Sequence, residues 1–324
     1  MNVLVTGGAG FLGQQLIRVL LDQPKVLKLG EIKQITCFDQ VPGTLEHARV
    51  RNVAGDMANA DTIASLLDGD TGVVIHLAAV VSGTAEADFD LGMRVNLDGT
   101  RALLQACRGL GTQPRVLFSS SLAVFGGRLP EVVDDSVTPT PQGSYGAQKL
   151  MGELLVQDYT RKGFIDGRSV RIPTVVVRPG RPNGAASGFA SSIVREPLAG
   201  REAVLPVPLD ACMWIASPRV VIANLLHALA LSPADWGWHR SVNLPGLTAS
   251  MADELAALEA VGGSAARALV KSVPDEGVRR LVQSWPARFN TTRATAMGFR
   301  ADSDFLAIVR AYVEDHPQAV LVRR

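Results

Sequence analysis

Three glycines at three-residue spacing, Gly7, Gly10 and Gly13, follow the apolar run Val3-Leu4-Val5 almost at once. A short buried strand here turns straight into a helix. Gly7 permits the tight turn, Gly10 lets backbone approach a ligand, and Gly13 lets the helix lie against the strand. The helix N-terminus, with Phe11 and Leu12 in its first turn, presents N–H groups to an anion. The motif reads as a cradle for a dinucleotide pyrophosphate. The chain also has 31 glycines in 324 residues, so the triplet alone is equally a plain strand–helix turn. Its context has to decide.

That context is a second hydrophobic strand, Ile35-Thr36-Cys37-Phe38, ending in Asp39. A carboxylate at this tip accepts hydrogen bonds from both adenosine ribose hydroxyls and repels a 2′-phosphate. No Arg follows at once, so the expected cofactor is NAD rather than NADP; the competing reading of Asp39 is a solvated loop carboxylate. Strand and helix patterns then alternate: Val50–Ala54, a helix over 60–68, Val73–Leu77 closed by Ala78-Ala79, helical segments over 86–108 containing Asn96, Arg115–Ser119, a helix over 145–162, and Thr174–Val177. This alternation predicts an α/β fold, a Rossmann-type doubly wound parallel sheet. Leu77, Ala78 and Ala79 put small side chains against the cofactor or serve tight packing. After Arg178-Pro-Gly-Arg-Pro-Asn183 the segments shorten, with helices expected over 188–199, 218–231, 250–261 and 304–315. Residues 1–179 are expected to form the NAD-binding domain, rejoined by a segment near 213–245. Residues 180–212 and 246–324 are expected to form a smaller C-terminal substrate-binding domain.

Composition excludes several classes. The chain is 47% hydrophobic with a formal charge of +1, which invites neither nucleic acid nor anionic membrane. No apolar run approaches a membrane span, and no leader precedes the first strand, so the expected location is cytoplasmic. Cys37, Cys107 and Cys212 are scattered, as reduced thiols would be. The five histidines show no ligand spacing, and no metal is expected.

Tyr145 and Lys149 lie four residues apart, on one face of the predicted helix. A lysine cation favours the phenolate, and a tuned phenol takes the proton of a substrate alcohol. Lys149 would also hold the nicotinamide ribose. Ser121, where the fifth strand ends, can hydrogen-bond the reacting oxygen. Asn96 could hold a water that relays protons to Lys149, or could simply cap a helix kink. A lone Tyr-x-x-x-Lys is commonly an amphipathic helix; here it follows the glycine loop, Asp39 and the serines in order. Ser119 and Ser120 read as structural or cofactor-lining.

Thr6–Gly13, Asp39, Gly55-Asp56, His76–Ala79, Asn96, Phe118–Gly126 and Tyr145–Lys149 together resemble the extended short-chain dehydrogenase/reductase family, which includes nucleotide-sugar epimerases and dehydratases. The resemblance implies NAD, a Ser121–Tyr145–Lys149 catalytic set, Asp56 and Met57 beside the adenine, and Pro179 near the nicotinamide. It also implies a homodimer formed through helices that include the Tyr-Lys helix. The chain departs from the nucleotide-sugar pattern at Phe125, where those enzymes usually carry Tyr, and in the turn Arg178–Asn183. Leu77–Ser82, Ala85–Leu91, Arg171–Ser187, Arg195–Leu198, Trp214–Pro218 and Val242–Gly246 resemble the group that oxidises the 2-hydroxyl of D-erythronate, a four-carbon sugar acid, with NAD.

A small polyhydroxy acid needs a cation for its carboxylate and partners for its hydroxyls. Arg181, Asn183 and Arg219 are candidates near the carboxylate, with Ser82, Ser121, Ser144, Tyr145, Thr174 and Ser187 for the hydroxyls. Arg181 and Arg219 read equally as ion-pair residues, and Trp214 reads as core before substrate platform. The function expected is NAD-dependent oxidation of such an acid. Its competitors are a nucleotide-sugar epimerase or dehydratase that retains NAD, and a non-catalytic dinucleotide sensor.

Overall fold

Val3, Leu4 and Val5 are buried, as are Val73, Val74 and Ile75. Both faces of the sheet they enter are covered, so these strands read as unbroken apolar runs instead of alternating ones. The computed structural model describes residues 1–180 and 185–322. In chain order the strands are β1 (Asn2–Thr6), β2 (Gln34–Asp39), β3 (Val50–Ala54), β4 (Thr71–His76), β5 (Arg115–Ser121), β6 (Asp166–Ile172), β7 (Thr174–Val175), β8 (Ala203–Leu205), β9 (Cys212–Ala216), β10 (Ser241–Asn243), β11 (Leu247–Ser250) and β12 (Val270–Ser272).

The chain forms two compact units, 1–124 with 141–171 and 222–243, and 125–140 with 172–221 and 244–324. The first holds a seven-stranded sheet in the order β10-β6-β5-β4-β1-β2-β3. β1 pairs in parallel with β2 and β4, β2 with β3, β4 with β5, and β6 with β10. This is the doubly wound sheet expected from the alternation. Chain direction across the sheet reverses between β1 and β4, and ligands of such sheets bind in the crevice beyond the strand ends there. Thr6 is level with Phe38 on β2 and His76 on β4, so the glycine loop, Asp39 and Leu77 leave the sheet at one height.

In the second unit β11, β9 and β7 form one small sheet and β12 and β8 another. Its core gathers Val176, Ile193, Leu198, Ile215, Leu255, Leu258, Ile308 and Val309 from the sheet and the helices Gly188–Leu198, Met251–Ala268 and Phe305–Asp315. Ser250 and Asp253 close the N-terminus of the Met251–Ala268 helix as a capping box.

Two expectations need correction. The sixth strand of the main sheet is Asp166–Ile172, not Thr174–Val177; Thr174 and Val175 pair with Ile215 and Ala216 in the second unit. Asp166–Ile172 carries Asp166, Arg168 and Arg171, and hydropathy passes it over. Yet Arg168 is fully buried, its charge matched by Asp166 at 2.5 Å and its Nη1 donating to the carbonyls of Ala228, Leu229 and Leu231. The unit boundaries move with it: the second unit begins at 172 and takes in 125–140, and 222–243 is the segment that rejoins the first.

Candidate active site

The cofactor cradle is made of backbone. Gly7 has φ 70°, and a Cβ there would stand 2.6 Å from the Ala78 amide nitrogen. A Cβ on Gly13 would stand 2.3 Å from the Gly7 carbonyl, which is why the helix Phe11–Asp22 must begin Phe-Leu-Gly. At Gly10 an added Cβ would meet only the Gly7 carbonyl, at 3.2 Å. Gly10 has no side chain to cap the helix, so the first-turn N–H groups of Phe11 and Leu12 are left available to an anion. Asp39 accepts from Ala9 N–H at 3.1 Å through Oδ2 and from Gln40 N–H at 2.7 Å through Oδ1. Each oxygen keeps a lone pair for a ribose hydroxyl. The residues present fit a dinucleotide.

Farther along the same strand ends, Asp56 Oδ2 is held by Arg94 at 2.5 Å and its Oδ1 by Ala58 N–H at 2.9 Å. Its carboxyl sits below the usual range, through the Ala58 hydrogen bond before the Arg94 contribution. Met57 is 3% exposed and packs in the core. Leu77, Ala78 and Ala79 are half-buried past the end of β4. Ser119, read as structural or cofactor-lining, donates its hydroxyl to the His76 carbonyl at 2.8 Å, a bond between neighbouring strands.

At the end of β5, Ser121 lies close enough to the Tyr145 phenol to favour its ionised form, and its Oγ accepts from Ala123 N–H at 3.1 Å. Tyr145 and Lys149 lie on the helix Ser144–Arg161, with Lys149 Nζ 5.6 Å from the Tyr145 ring centre and 4.8 Å from that of Phe118. The expected lowering of the phenol is not what this environment does. Burial pushes Tyr145 up to about 12, with the Ser121 hydrogen bond pulling the other way. Burial also draws Lys149 down to about 7, opposed by the Glu153 carboxylate. Desolvation outweighs the opposing effect of Ser121.

Asn96 lies in a π-helical turn, Met93–Asp98. Its Oδ1 accepts from Val80 N–H at 2.7 Å, and its Nδ2 donates to the Val80 carbonyl at 3.0 Å and to Gln148 Oε1 at 2.8 Å. Both amide protons are committed, so the Asn96 side chain ties the loop after β4 to the Tyr-Lys helix.

The Epimerase profile, described as the NAD dependent epimerase/dehydratase family, matches residues 3–211. The chain belongs to this family. It is an NAD-dependent oxidoreductase of extended short-chain dehydrogenase/reductase type. It is 52% identical over 319 residues to the D-erythronate dehydrogenase of Cupriavidus necator, covering 97% of this chain and 98% of that protein. It is 44% identical over 317 residues to the D-erythronate dehydrogenase of Haemophilus influenzae, covering 97% and 99%. Among solved structures it is similar to a nucleoside-diphosphate-sugar epimerase from Agrobacterium tumefaciens, with TM-score 0.94, 40% identity and coverage of 99% and 96%.

The expected substrate contacts fare unevenly. Arg219 is corrected to an ion pair: Asp315 takes its Nε at 2.7 Å and Nη2 at 2.6 Å, and Glu314 its Nη1 at 2.9 Å. Trp214 is 9% exposed, donates to the Leu244 carbonyl at 3.3 Å and packs on Phe289, as a core residue does. Arg181 and Asn183 lie outside the described residues. Ser82 opens a short helix, and the Ser144 N–H donates to Glu86 at 2.8 Å. Thr174 sits on β7, and Ser187 accepts from Arg178 at 3.5 Å. Pro173 directly follows the sixth strand, whereas Pro179, the residue expected near the nicotinamide, comes after β7 in the second unit.

Sequence reasoning missed a buried polar chain beneath the crevice. Thr6 Oγ1 lies 2.6 Å from His76 Nδ1, His76 Nε2 lies 2.9 Å from Thr100 Oγ1, and Thr100 donates to the Asn96 carbonyl at 2.6 Å. Because Thr100 donates onward, His76 must donate from Nε2 and accept from Thr6 at Nδ1. Burial, then the Lys149 charge, brings this histidine down to about 3, so it is neutral. A histidine ending an apolar strand was the only available signal.

Proposed function

We propose that the protein oxidises the 2-hydroxyl of a small sugar acid, D-erythronate, to the 2-keto acid with NAD. The nearness of Ser121 to the Tyr145 phenol, with Lys149 one helical turn on, carries the reading, and the identity to named D-erythronate dehydrogenases supports the substrate. The Ser121 hydroxyl orients the substrate oxygen, and the Tyr145 phenolate takes its proton as the C2–H bond breaks. NAD, held by Gly7–Gly13 and Asp39, supplies the hydride acceptor. Lys149 lowers the cost of the phenolate when charged. Asn96, through Val80, fixes the loop that carries Leu77–Ala79. Ser82, Ser144, Thr174 and Ser187 remain the proposed hydroxyl contacts and Arg181 and Asn183 the carboxylate contacts.

The similarity to the nucleoside-diphosphate-sugar epimerase structure favours a second reading, in which NAD stays bound and regains its hydride within one turnover. NADH formation separates the two. Purified protein with NAD and D-erythronate should release NADH, more slowly with L-threonate, D-glycerate or longer aldonates, and not measurably for Tyr145→Phe. No NADH from any sugar acid, with turnover of a nucleotide sugar, would replace the first reading by the second. We further place the protein in the cytoplasm, in keeping with its three free cysteines. We assign homodimerisation to the helices around Phe89–Leu110 and Ser144–Arg161, where Phe89 and Leu154 are 57% and 62% exposed; a monomer by light scattering would refute this.

A further inference from the structure

The helix that presents Tyr145 and Lys149 places a carboxylate one turn farther on. Glu153 is 3% exposed, Lys149 2% and Arg171, on β6, 5%. Three charged side chains therefore share one dry region of the first unit. Arg171 grips Glu153 as a fork, with Nε 2.9 Å from Oε1 and Nη2 2.7 Å from Oε2, while its Nη1 donates to Asn243 at 3.3 Å. The Ser120 hydroxyl donates to Oε1 at 2.5 Å. Ser120 immediately precedes Ser121, so this carboxylate ties the catalytic strand, the Tyr-Lys helix and β6 together.

An ion pair this deep is no better for stability than well-packed apolar side chains of similar volume. Its polar character needs another reason. We propose that Glu153 is a positioning residue for the reaction, a carboxylate fixed by Arg171 and Ser120 that holds Lys149 in its cationic form beside the Tyr145 phenol. The inference rests on Ser121, Tyr145 and Lys149 being the reacting set. The groups that face Lys149 are Tyr145 and Glu153 on its own helix, His76 on β4, the Phe118 ring on β5, and Arg171 on β6 behind Glu153. His76 is neutral, and Phe118 offers a ring face at 4.8 Å. Glu153 supplies the negative charge. Burial draws Lys149 down to about 7 even with Glu153 opposing it, so near neutral pH the carboxylate bears on how much of the lysine is charged. Arg171 and Ser120 hold both carboxylate oxygens, so that this charge cannot swing away.

The test is the ionisation midpoint of Lys149, followed by NMR on full-length protein with 13C at lysine Cε. The chain has six lysines, and Lys149→Met assigns the resonance. Replacing the pair together, Glu153→Met with Arg171→Met, removes the carboxylate without stranding a buried charge. The midpoint should fall by about one unit, a tenfold loss of proton affinity. Ser120→Ala removes a donor that partly neutralises the carboxylate, and the midpoint should rise. A purely structural pair predicts an unmoved midpoint in both variants. No movement, or movement of both in one direction, overturns the proposal. Should the double variant fail to fold, Ser120→Ala decides alone: a rise supports the proposal, and a fall or no change overturns it. NADH formation is assayed on the same samples. Opposite midpoint shifts in a protein that oxidises no sugar acid would retire the proposed function and keep the Glu153 assignment. Turnover of D-erythronate with a fixed midpoint would do the reverse.

Discussion

The two flanks of the main sheet solve the same task with different materials. Around β1, β2 and β4 the site is backbone: glycines pressed against carbonyls and amides, and one carboxylate holding a loop N–H. Around β5, β6 and β10 it is buried charge: Arg115, Arg168 and Arg171 matched by Asp166 and Glu153. The first kind of construction is local, since each glycine acts on a neighbour within the turn or on the next strand. The second joins residues far apart in the chain, as when Arg115 donates to the Leu229 carbonyl. The difference teaches why one flank could be read directly and the other could not.

The sharpest way to break the comparison is at Arg168. Arg168→Met should remove about 3–5 kcal/mol, because Asp166 loses one cation in a dry site and three carbonyls lose their donor. Urea denaturation measures it, and NAD affinity of the remaining folded protein should be unchanged. Gly13→Ala is the counterpart on the backbone flank. Its methyl would meet the Gly7 carbonyl at 2.3 Å, and overpacking of this kind costs about 1–3 kcal/mol. Here NAD affinity should fall along with stability, by calorimetric titration. Equal NAD affinities in the two variants would erase the distinction drawn between the flanks.

Acid should weaken the first unit through His76. Its folded value of about 3 lies below the ordinary 6.5, so its contribution is complete above 6.5 and is lost as pH falls toward 3. The slope is about 1.4 kcal/mol per pH unit in that window. His76→Gln, which cannot take the proton, should flatten it in a series of urea melts. Glu254 of the second unit carries the opposite sign: it is fully buried, its carboxyl is raised well above 4.5 by burial and then by Asp253, and its contribution is lost as pH rises. A melt series that steepens in acid for the His76→Gln variant would contradict the first statement.

Legibility followed the physics of each element. The strands up to Arg115–Ser119 and the helix over 145–162 were readable because their apolar residues are contiguous or periodic. The glycine loop and Asp39 were readable because their partners are the next turn and the next strand. β6 was not, since buried arginines look like surface in the sequence when what holds them lies elsewhere in the chain, Glu153 for Arg171 and the carbonyls of Ala228, Leu229 and Leu231 for Arg168. Asn96 was found for its position, but its contacts with Val80 and Gln148 are tertiary and cannot be read from its neighbours in the chain.

Arg219 is the smallest and cleanest case. The sequence offered two readings, a cation for the substrate carboxylate and an ion pair, and nothing near residue 219 chooses between them. The partners lie near the other end of the chain, where Glu314 and Asp315 end the helix Phe305–Asp315. Their carboxylates grip the guanidinium and hold its affinity for protons above the ordinary arginine range, the Asp315 hydrogen bonds leading. The pair is 45% exposed at Arg219 and 65% and 38% at its partners, and solvent screens such pairs to about 0–1 kcal/mol. Arg219→Ala should therefore shift the urea midpoint only slightly and leave KM for D-erythronate within about twofold, since a twofold change is under half a kcal/mol. A KM raised a hundredfold or more at unchanged stability would restore Arg219 to the substrate and show that this fork opens when the acid binds.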